Sequence, residues 1–422
     1  MTMTLEAFPP SVKIGAEDVV RFQEDGTIKV KLNGSWTGVT VEGNAYDELT
    51  EFVSVATIGA SKSKIIFDAS GNLYWSAPNQ NNVSAYNQTS YLYKITPEGV
   101  ISTFASQATN GCKCSDLAFD TSGNLYWAIG NYYNGTTYNL TSYIYKITPA
   151  GTKTTFVSQA TNGIVDTSLA FDSAGNLYWS IANGNNGTTY NITSYLLKIT
   201  PAGSASVFAS QATTAGNGTS LAFDSDGNIY WALNNYYNGT TYSLTSYVYK
   251  VTPAGTKTTF ASQATIGGYD SSLIFDTSGN LYWALTNLGY AGNYNQTHYV
   301  YKITPAGVKT TFASQIVNVG CMTDLLFDSN NKLFWALSTV NQGGIFSNST
   351  FSSVYKITPA GVKTTFTSQA ANYNFTASMA FDSSGNFYWV VNNHVNEELE
   401  EMSVQYKMNS YVYTKRLIVN PS

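Results

Sequence analysis

Charge is scarce in this chain. Lys, Arg, Asp and Glu make up 11% of its 422 residues, and the formal net charge is −5. Arginine occurs only at Arg21 and Arg416. A nucleic-acid surface needs clustered Lys and Arg to neutralise phosphates, so no nucleic-acid partner is expected. Histidine is nearly absent: His298 sits where sister segments carry Ser142 and Ser246, and His394 lies in an acidic stretch. With so few imidazoles, neither a metal site nor acid–base catalysis is expected. Cysteine is rare and odd in number, at Cys112, Cys114 and Cys321. That excludes a disulfide framework, and the Cys-x-Cys pair reads as free thiols on a loop. No apolar run approaches the roughly 18 residues that would span a membrane. The opening Met1–Pro10 has no basic stretch and no apolar core, so no secretory leader is expected. The sequence thus reads as made in a cytoplasm, with the Asn-x-Ser/Thr triplets at Asn134, Asn139, Asn186 and Asn191 a by-product of composition.

What the chain has in quantity is Tyr (32), Gly (34), Asn, Thr and Ser. It also has a repeat. Phe-Asp-x-Ser-Gly-Asn-Leu-Tyr-Trp is clean at Phe119–Trp127 and Phe275–Trp283. Its Asp recurs at Asp68, Asp120, Asp172, Asp224, Asp276, Asp328 and Asp382, at a spacing of 52 residues and finally 54. Its Trp recurs at Trp75, Trp127, Trp179, Trp231, Trp283, Trp335 and Trp389. A fixed period of this size means stacked supersecondary units.

Within one period four strands can be read. Ser220–Asp224 is apolar strand A, and Ser225–Asn228 is a turn in which Gly227 supplies positive φ. Ile229–Leu233 is strand B. After the long loop Asn234–Thr245 comes Ser246–Thr252, alternating as a half-buried strand C should. Pro253-Ala-Gly255 turns into strand D, Thr256–Ser262. Four strands in each of seven repeats predict an all-β, seven-bladed β-propeller spanning 45–422.

The ends bear on how the ring closes. Residues 48–54 read as a strand D with no blade in front of it. The last repeat, through Ser410–Tyr413 and Ile418–Pro421, stops where its own strand D is due. The early strand can fill that vacancy and remove an open sheet edge. A second threading takes Ser403–Met408 as strand C and Val412–Val419 as strand D, leaving the early strand redundant. Residues 1–44 lack the repeat and read as a small β appendage. It has a hairpin around Asp25-Gly26 and a second turn at Asn33-Gly34. Either an attachment element or a cap on the ring fits it.

The Asp-x-Ser-Gly-Asn-Leu-Tyr-Trp hairpin followed by Tyr-Lys-Ile-Thr-Pro-x-Gly resembles the NHL-like seven-bladed β-propeller repeat family over roughly residues 48–422. It departs from that family's pattern in its long B–C loop. The resemblance implies architecture; the same architecture hosts enzymes, sensors and binding platforms. Propeller lyases of similar fold use His and Glu at the ring axis, and lactonases use a convergent acid and Asn set. Neither constellation can be placed here. Asp166 and Asp270, read as lying in D–A loops, form no such set.

The repeated Asp residues read as acceptors inside their own turns, since calcium would need more acids than Asp120–Asn124 supplies. The seven Trp read as packing between blades. The variable features lie on the face carrying the B–C and D–A loops: Asn131–Tyr138, Asn183–Tyr190 and Asn235–Tyr242, then the diverged Asn287–Tyr294. Tyr gives rigid amphipathic area and small polar residues give adaptable hydrogen bonds. The candidate ligand-binding set is therefore Tyr132, Tyr133, Asn134, Tyr138, Tyr190, Tyr236, Tyr237, Asn238, Tyr242 and Tyr294. Changing Tyr132, Tyr133, Tyr236 and Tyr237 to Ala is expected to leave stability nearly unchanged.

The expected function is a non-catalytic binding or structural propeller. The favoured version is a virion surface protein, such as a phage tail, fibre or capsid decoration. It would dock to other virion proteins through residues 1–44 and show its loop face to a host glycan or protein, with no cofactor and no membrane insertion. The alternatives are a lyase- or lactonase-type enzyme and a cellular adhesin or scaffold at the cell surface or in the cytoplasm.

Overall fold

The computed structural model describes residues 11–14, 17–22, 28–32, 35–39, 50–58, 62–79, 87–184, 188–287, 295–318, 322–338, 351–370, 377–395 and 412–420. The chain divides into two compact units, Met1–Glu48 and Leu49–Ser422. The first is a four-stranded antiparallel meander: Ser11–Ile14, Glu17–Phe22, Ile28–Leu32 and Ser35–Val39 pair in sequence order. Phe22 stands opposite Ile28 and Leu32 opposite Ser35. The sequence reading missed the short first strand.

The second unit is a seven-bladed β-propeller. Six of its four-stranded sheets are built from consecutive strands. The second blade, Cys114–Phe119, Leu125–Gly130, Asn139–Ile147 and Lys153–Asn162, is representative. The innermost strands neighbour one another all the way round, from Lys64–Phe67 through Met379–Phe381 and back. The seventh sheet joins Met379–Phe381, Phe387–Val395 and Val412–Asn420 to Thr50–Ile58, which is its outermost strand. Because Phe387–Val395 pairs directly with Val412–Asn420, the threading with Ser403–Met408 as strand C is wrong.

Each blade is built from local rules. In the A–B turn, Asp120 Oδ1 accepts the amides of Ser122 (2.9 Å) and Asn124 (2.8 Å), and Oδ2 accepts the Asn124 carboxamide (2.8 Å). Asp68, Asp172, Asp224, Asp276 and Asp382 repeat this. Their oxygens are spent inside their own turns, as read from the sequence. Gly123 takes φ +78°; in the sixth blade Asn331 fills that position at φ +60°, a conformation Asn tolerates better than most residues.

Strand B is buried on both faces, as in Leu125–Gly130. Its Trp is wholly buried in every blade. Trp231 packs with Tyr178 and Leu196 of the blade before it, so the seven indoles cement neighbouring blades. A bulge recurs between strands C and D: Ile144 faces Val157 and Tyr145 faces Thr155, leaving Phe156 unpaired. A bulge re-aims a side chain. Here it turns Phe156 inward to meet Tyr126 edge-on at 4.9 Å, and Phe171 of the next blade closes the cluster at 5.1 Å from Tyr126.

Candidate functional site

Two polar regions stand out: the tyrosine loops and the axis. The B–C loops at 131–138 and 235–242 share one conformation. Asn134 Oδ1 accepts the amides of Thr136 (3.0 Å) and Thr137 (2.9 Å). Asn238 does the same with Thr240 and Thr241, at 2.9 and 2.8 Å. Tyr133 stacks on Tyr138 with centroids 4.5 Å apart, and Tyr132 meets Tyr138 edge-on at 5.2 Å. Tyr237 and Tyr236 meet Tyr242 in the same two ways, at 4.3 and 5.3 Å. Tyr190 joins the second cluster edge-on to Tyr237 at 5.1 Å, linking adjacent blades.

These contacts give the loop residues structural roles. The Asn134 and Asn238 carboxamide oxygens are committed to their own loops. Tyr132 and Tyr236 are packing residues as much as surface ones. The Lys113 ammonium lies 3.4 Å from the centroid of the Tyr132 ring, and burial pulls its pKa down to about 8. Burial and the neighbouring Tyr138 push the Tyr132 phenol up to about 12. Tyr294 lies outside the described residues.

The axis was not read from the sequence. Asp166 and Asp270 lie on innermost strands, Ile164–Phe171 and Gly268–Phe275, not in loops. Lys62, at the head of the first blade, reaches both. Its Nζ stands 3.0 Å from Asp166 Oδ2 and 2.9 Å from Asp270 Oδ1. These residues belong to blades 1, 3 and 5, so one ammonium pins three blades that are not neighbours. Burial opposes the charge on Lys62, but the two carboxylates outweigh it and raise its pKa. Burial and the surplus charge of Asp270 push Asp166 up to about 7 despite Lys62.

Two residues further along the innermost strands comes a second ring: Lys64, Asp116, Ser168, Ser220, Ser272, Asp324 and Ser378. These residues help line an axial cavity of about 180 Å³. Their main work is stitching. The inner edge of strand A has unpaired amides, and buried amides must be bonded. Asp116 accepts the Leu169 amide (2.7 Å), Ser220 that of Leu273 (3.1 Å), Ser272 that of Leu325 (3.2 Å) and Ser378 that of Ile65 (3.1 Å). Asp166 and Asp270 likewise take the amides of Thr219 and Thr323 in the next blade. Burial raises the Asp116 pKa, and Lys64 is raised by Asp324 beside it. A signal was available: every 52nd residue from Lys64 is polar up to Asp324, and each is followed by three apolar residues.

Cys112 and Cys114 are free thiols, as read, and both are fully buried; Cys112 lies between strands, Cys114 opens an innermost strand, and Cys112 Sγ donates to the Cys114 carbonyl (3.2 Å). Cys321 and the side chain of His394 lie outside the described residues. Among the described residues no group of three or more His, Cys, Asp or Glu side chains is placed to hold a metal ion. No helix among them is long and apolar enough to cross a membrane.

Fold and site together define a seven-bladed propeller with a stitched polar axis and one tyrosine-rich face. No protein family matches the chain, and no curated protein matches it. Among solved structures it is similar to a fungal alcohol oxidase of the AA5 family in complex with copper. The TM-score is 0.57 at 13% identity, covering 87% of this chain and 76% of that one. A protein of unknown function from Dyadobacter fermentans aligns at TM-score 0.44 and 10% identity, over 88% of this chain and 99% of that one. The likeness to the oxidase is one of fold.

Proposed function

We propose that this is a non-catalytic binding propeller, displayed on a virion surface as a tail, fibre or decoration protein. It would meet a host glycan or protein with its B–C loops. The supporting observation is preorganisation. The loops at 131–138 and 235–242 hold the same shape through an Asn-capped turn and a stacked tyrosine pair. A rigid aromatic surface binds with little loss of conformational freedom. The separate unit Met1–Glu48 would serve as the attachment element toward other virion proteins.

A glycan array probed with the full chain tests the loop face. Tyr133→Ala with Tyr237→Ala should remove binding to at least one glycan of the array while the protein stays folded. Mass spectrometry of purified virions tests the setting, and absence of the chain there overturns it. A second reading, catalysis, is favoured by one observation: Asp166 is held near neutrality beside the axial cavity. Groups so perturbed are candidates for acid–base work. Both its oxygens, however, are taken by Lys62 and by backbone amides. Turnover of any lactone or glycan substrate that Asp166→Asn removes would establish this second reading.

A further inference from the structure

We propose that the clefts between neighbouring blades are carbohydrate-binding sites, separate from the loop face. One is a cleft of about 510 Å³ between blades 1 and 2. Gln107 and Asn110 line it from the outer strand of one blade; Tyr143, Tyr145 and Lys153 line it from the other. The two tyrosine rings are stacked, with centroids 5.7 Å apart. Tyr143 is half-buried and Tyr145 nearly covered. Lys153 fixes the arrangement: its ammonium sits 4.7 Å from the Tyr145 centroid and donates to Gln107 Oε1 (2.9 Å) and to the Ser106 carbonyl across the blade boundary.

Among the described residues, the phenol hydroxyls of Tyr143 and Tyr145 and the Asn110 carboxamide have no hydrogen-bond partner. The cleft therefore offers a rigid aromatic wall, two phenols and an amide in a polar pocket with a single positive charge. A pyranose has the matching surface. Its C–H face packs on an aromatic ring, and its hydroxyls take phenol, amide and ammonium partners. A nucleotide or an acidic peptide would call for more cations than the single lysine here.

The tyrosine pair, the lysine and the glutamine recur, with Thr214 and Ile266 at the place of Asn110. Tyr247 and Tyr249 stack at 5.6 Å, with Lys257 at 4.7 Å and bonded to Gln211. Tyr299 and Tyr301 stack at 5.4 Å, with Lys309 at 4.6 Å and bonded to Gln263. The fold supplies its own controls. At the blade 2–3 boundary the second tyrosine is Leu197 and the lysine is Ala205, and in the sixth blade the first tyrosine is Ser353. Three weak sites around one rim would act together on a polymeric glycan.

The test is ligand-observed saturation-transfer NMR on the full chain. The probes are methyl glycosides of glucose, galactose, mannose, fucose and N-acetylglucosamine. At least one should give a saturable signal. Tyr143→Ser, Tyr247→Ser and Tyr299→Ser together copy the residue native at position 353, so the chain should fold. That variant should bind at least tenfold more weakly. If it fails to fold, Tyr143→Ser alone should lower the stoichiometry from three sites to two. The loop pair Tyr133→Ala and Tyr237→Ala should leave these signals unchanged, which separates this proposal from the loop-face reading. The proposal is overturned by absence of any saturable signal, by unchanged affinity and stoichiometry in the serine variants, or by loss of binding in the loop pair.

Discussion

His298 replaces a serine whose hydroxyl, in sister blades, accepts an amide at the end of strand B and also bonds a strand D threonine, as Ser142 does with Thr161. Ser142 Oγ accepts the Asn131 amide at 3.1 Å, and Ser194 accepts that of Asn183 at 3.3 Å. His298 Nδ1 accepts the Asn287 amide at 3.3 Å in the same place. The substitution keeps the bond but adds a titratable group with no exposure, and burial holds its pKa down to about 3. The sign of the consequence is fixed. An unfolded histidine takes its proton near pH 6.5, whereas the folded one stays neutral, so stability present above about 6.5 is lost as pH falls toward 3. Asp166 acts in the opposite sense. Its folded pKa of about 7 lies above the ordinary 3.8, so the native chain takes the proton first and gains stability as pH falls from about 7 toward 4. His298→Ser should therefore raise stability at pH 5 relative to pH 7.5, by about 2 kcal/mol more than in the parent. Asp166→Asn should remove part of the parent's gain toward acid. Thermal melts at pH 5, 6 and 7.5 read both, and parallel curves for all three proteins would refute the assignment.

At the scale of an element, the B–C loops show where sequence reading succeeds and where it stops. Their composition pointed to a folded, tyrosine-rich face, because Asn-Gly and Thr-Thr segments carry turn chemistry in the sequence itself. It could not divide the tyrosines into roles, since that depends on a neighbour 19 residues upstream in the chain: Lys113 covers Tyr132. Tyr132→Ala should lower stability by about 2–3 kcal/mol, as a truncated packing residue does. Tyr133→Ala, which removes a hydroxyl bonded to the Gly135 carbonyl of the same loop (2.7 Å), should cost under about 1 kcal/mol. Urea titrations of the two variants decide it; equal losses would mean the loop behaves as one packed unit. The blade strands were legible because each strand's partner lies within the same repeat. They run longer than expected on the loop face, as in Lys257–Ile266, because C–D pairing continues past the apolar alternation.

For the whole propeller, the ring is held shut by contacts that no single repeat contains. Thr50–Ile58 supplies the last strand of the seventh blade, in register from Thr50 opposite Val419 to Ile58 opposite Val412. Removing residues 1–58 should leave Val412–Asn420 as a bare edge. The truncated chain should then self-associate in size-exclusion chromatography; a monomer of unchanged melting temperature would show that this strand is dispensable.

Four residues after that strand, Lys62 crosses to blades 3 and 5. The repeat period placed Asp166 and Asp270 in equivalent positions of alternate blades, but nothing local shows that a lysine two and four periods away meets both. Removing one partner of a buried ion pair leaves an uncompensated charge, whereas removing the whole group costs little. Lys62→Met should therefore destabilise the propeller by about 3 kcal/mol. Adding Asp166→Asn and Asp270→Asn should recover most of that loss, because each carboxamide oxygen can still accept the neighbouring blade's amide. Chemical denaturation of the single and triple variants measures the coupling. Additive losses would mean that the three blades are held by their stitched amides alone, with the axial ammonium making no net contribution.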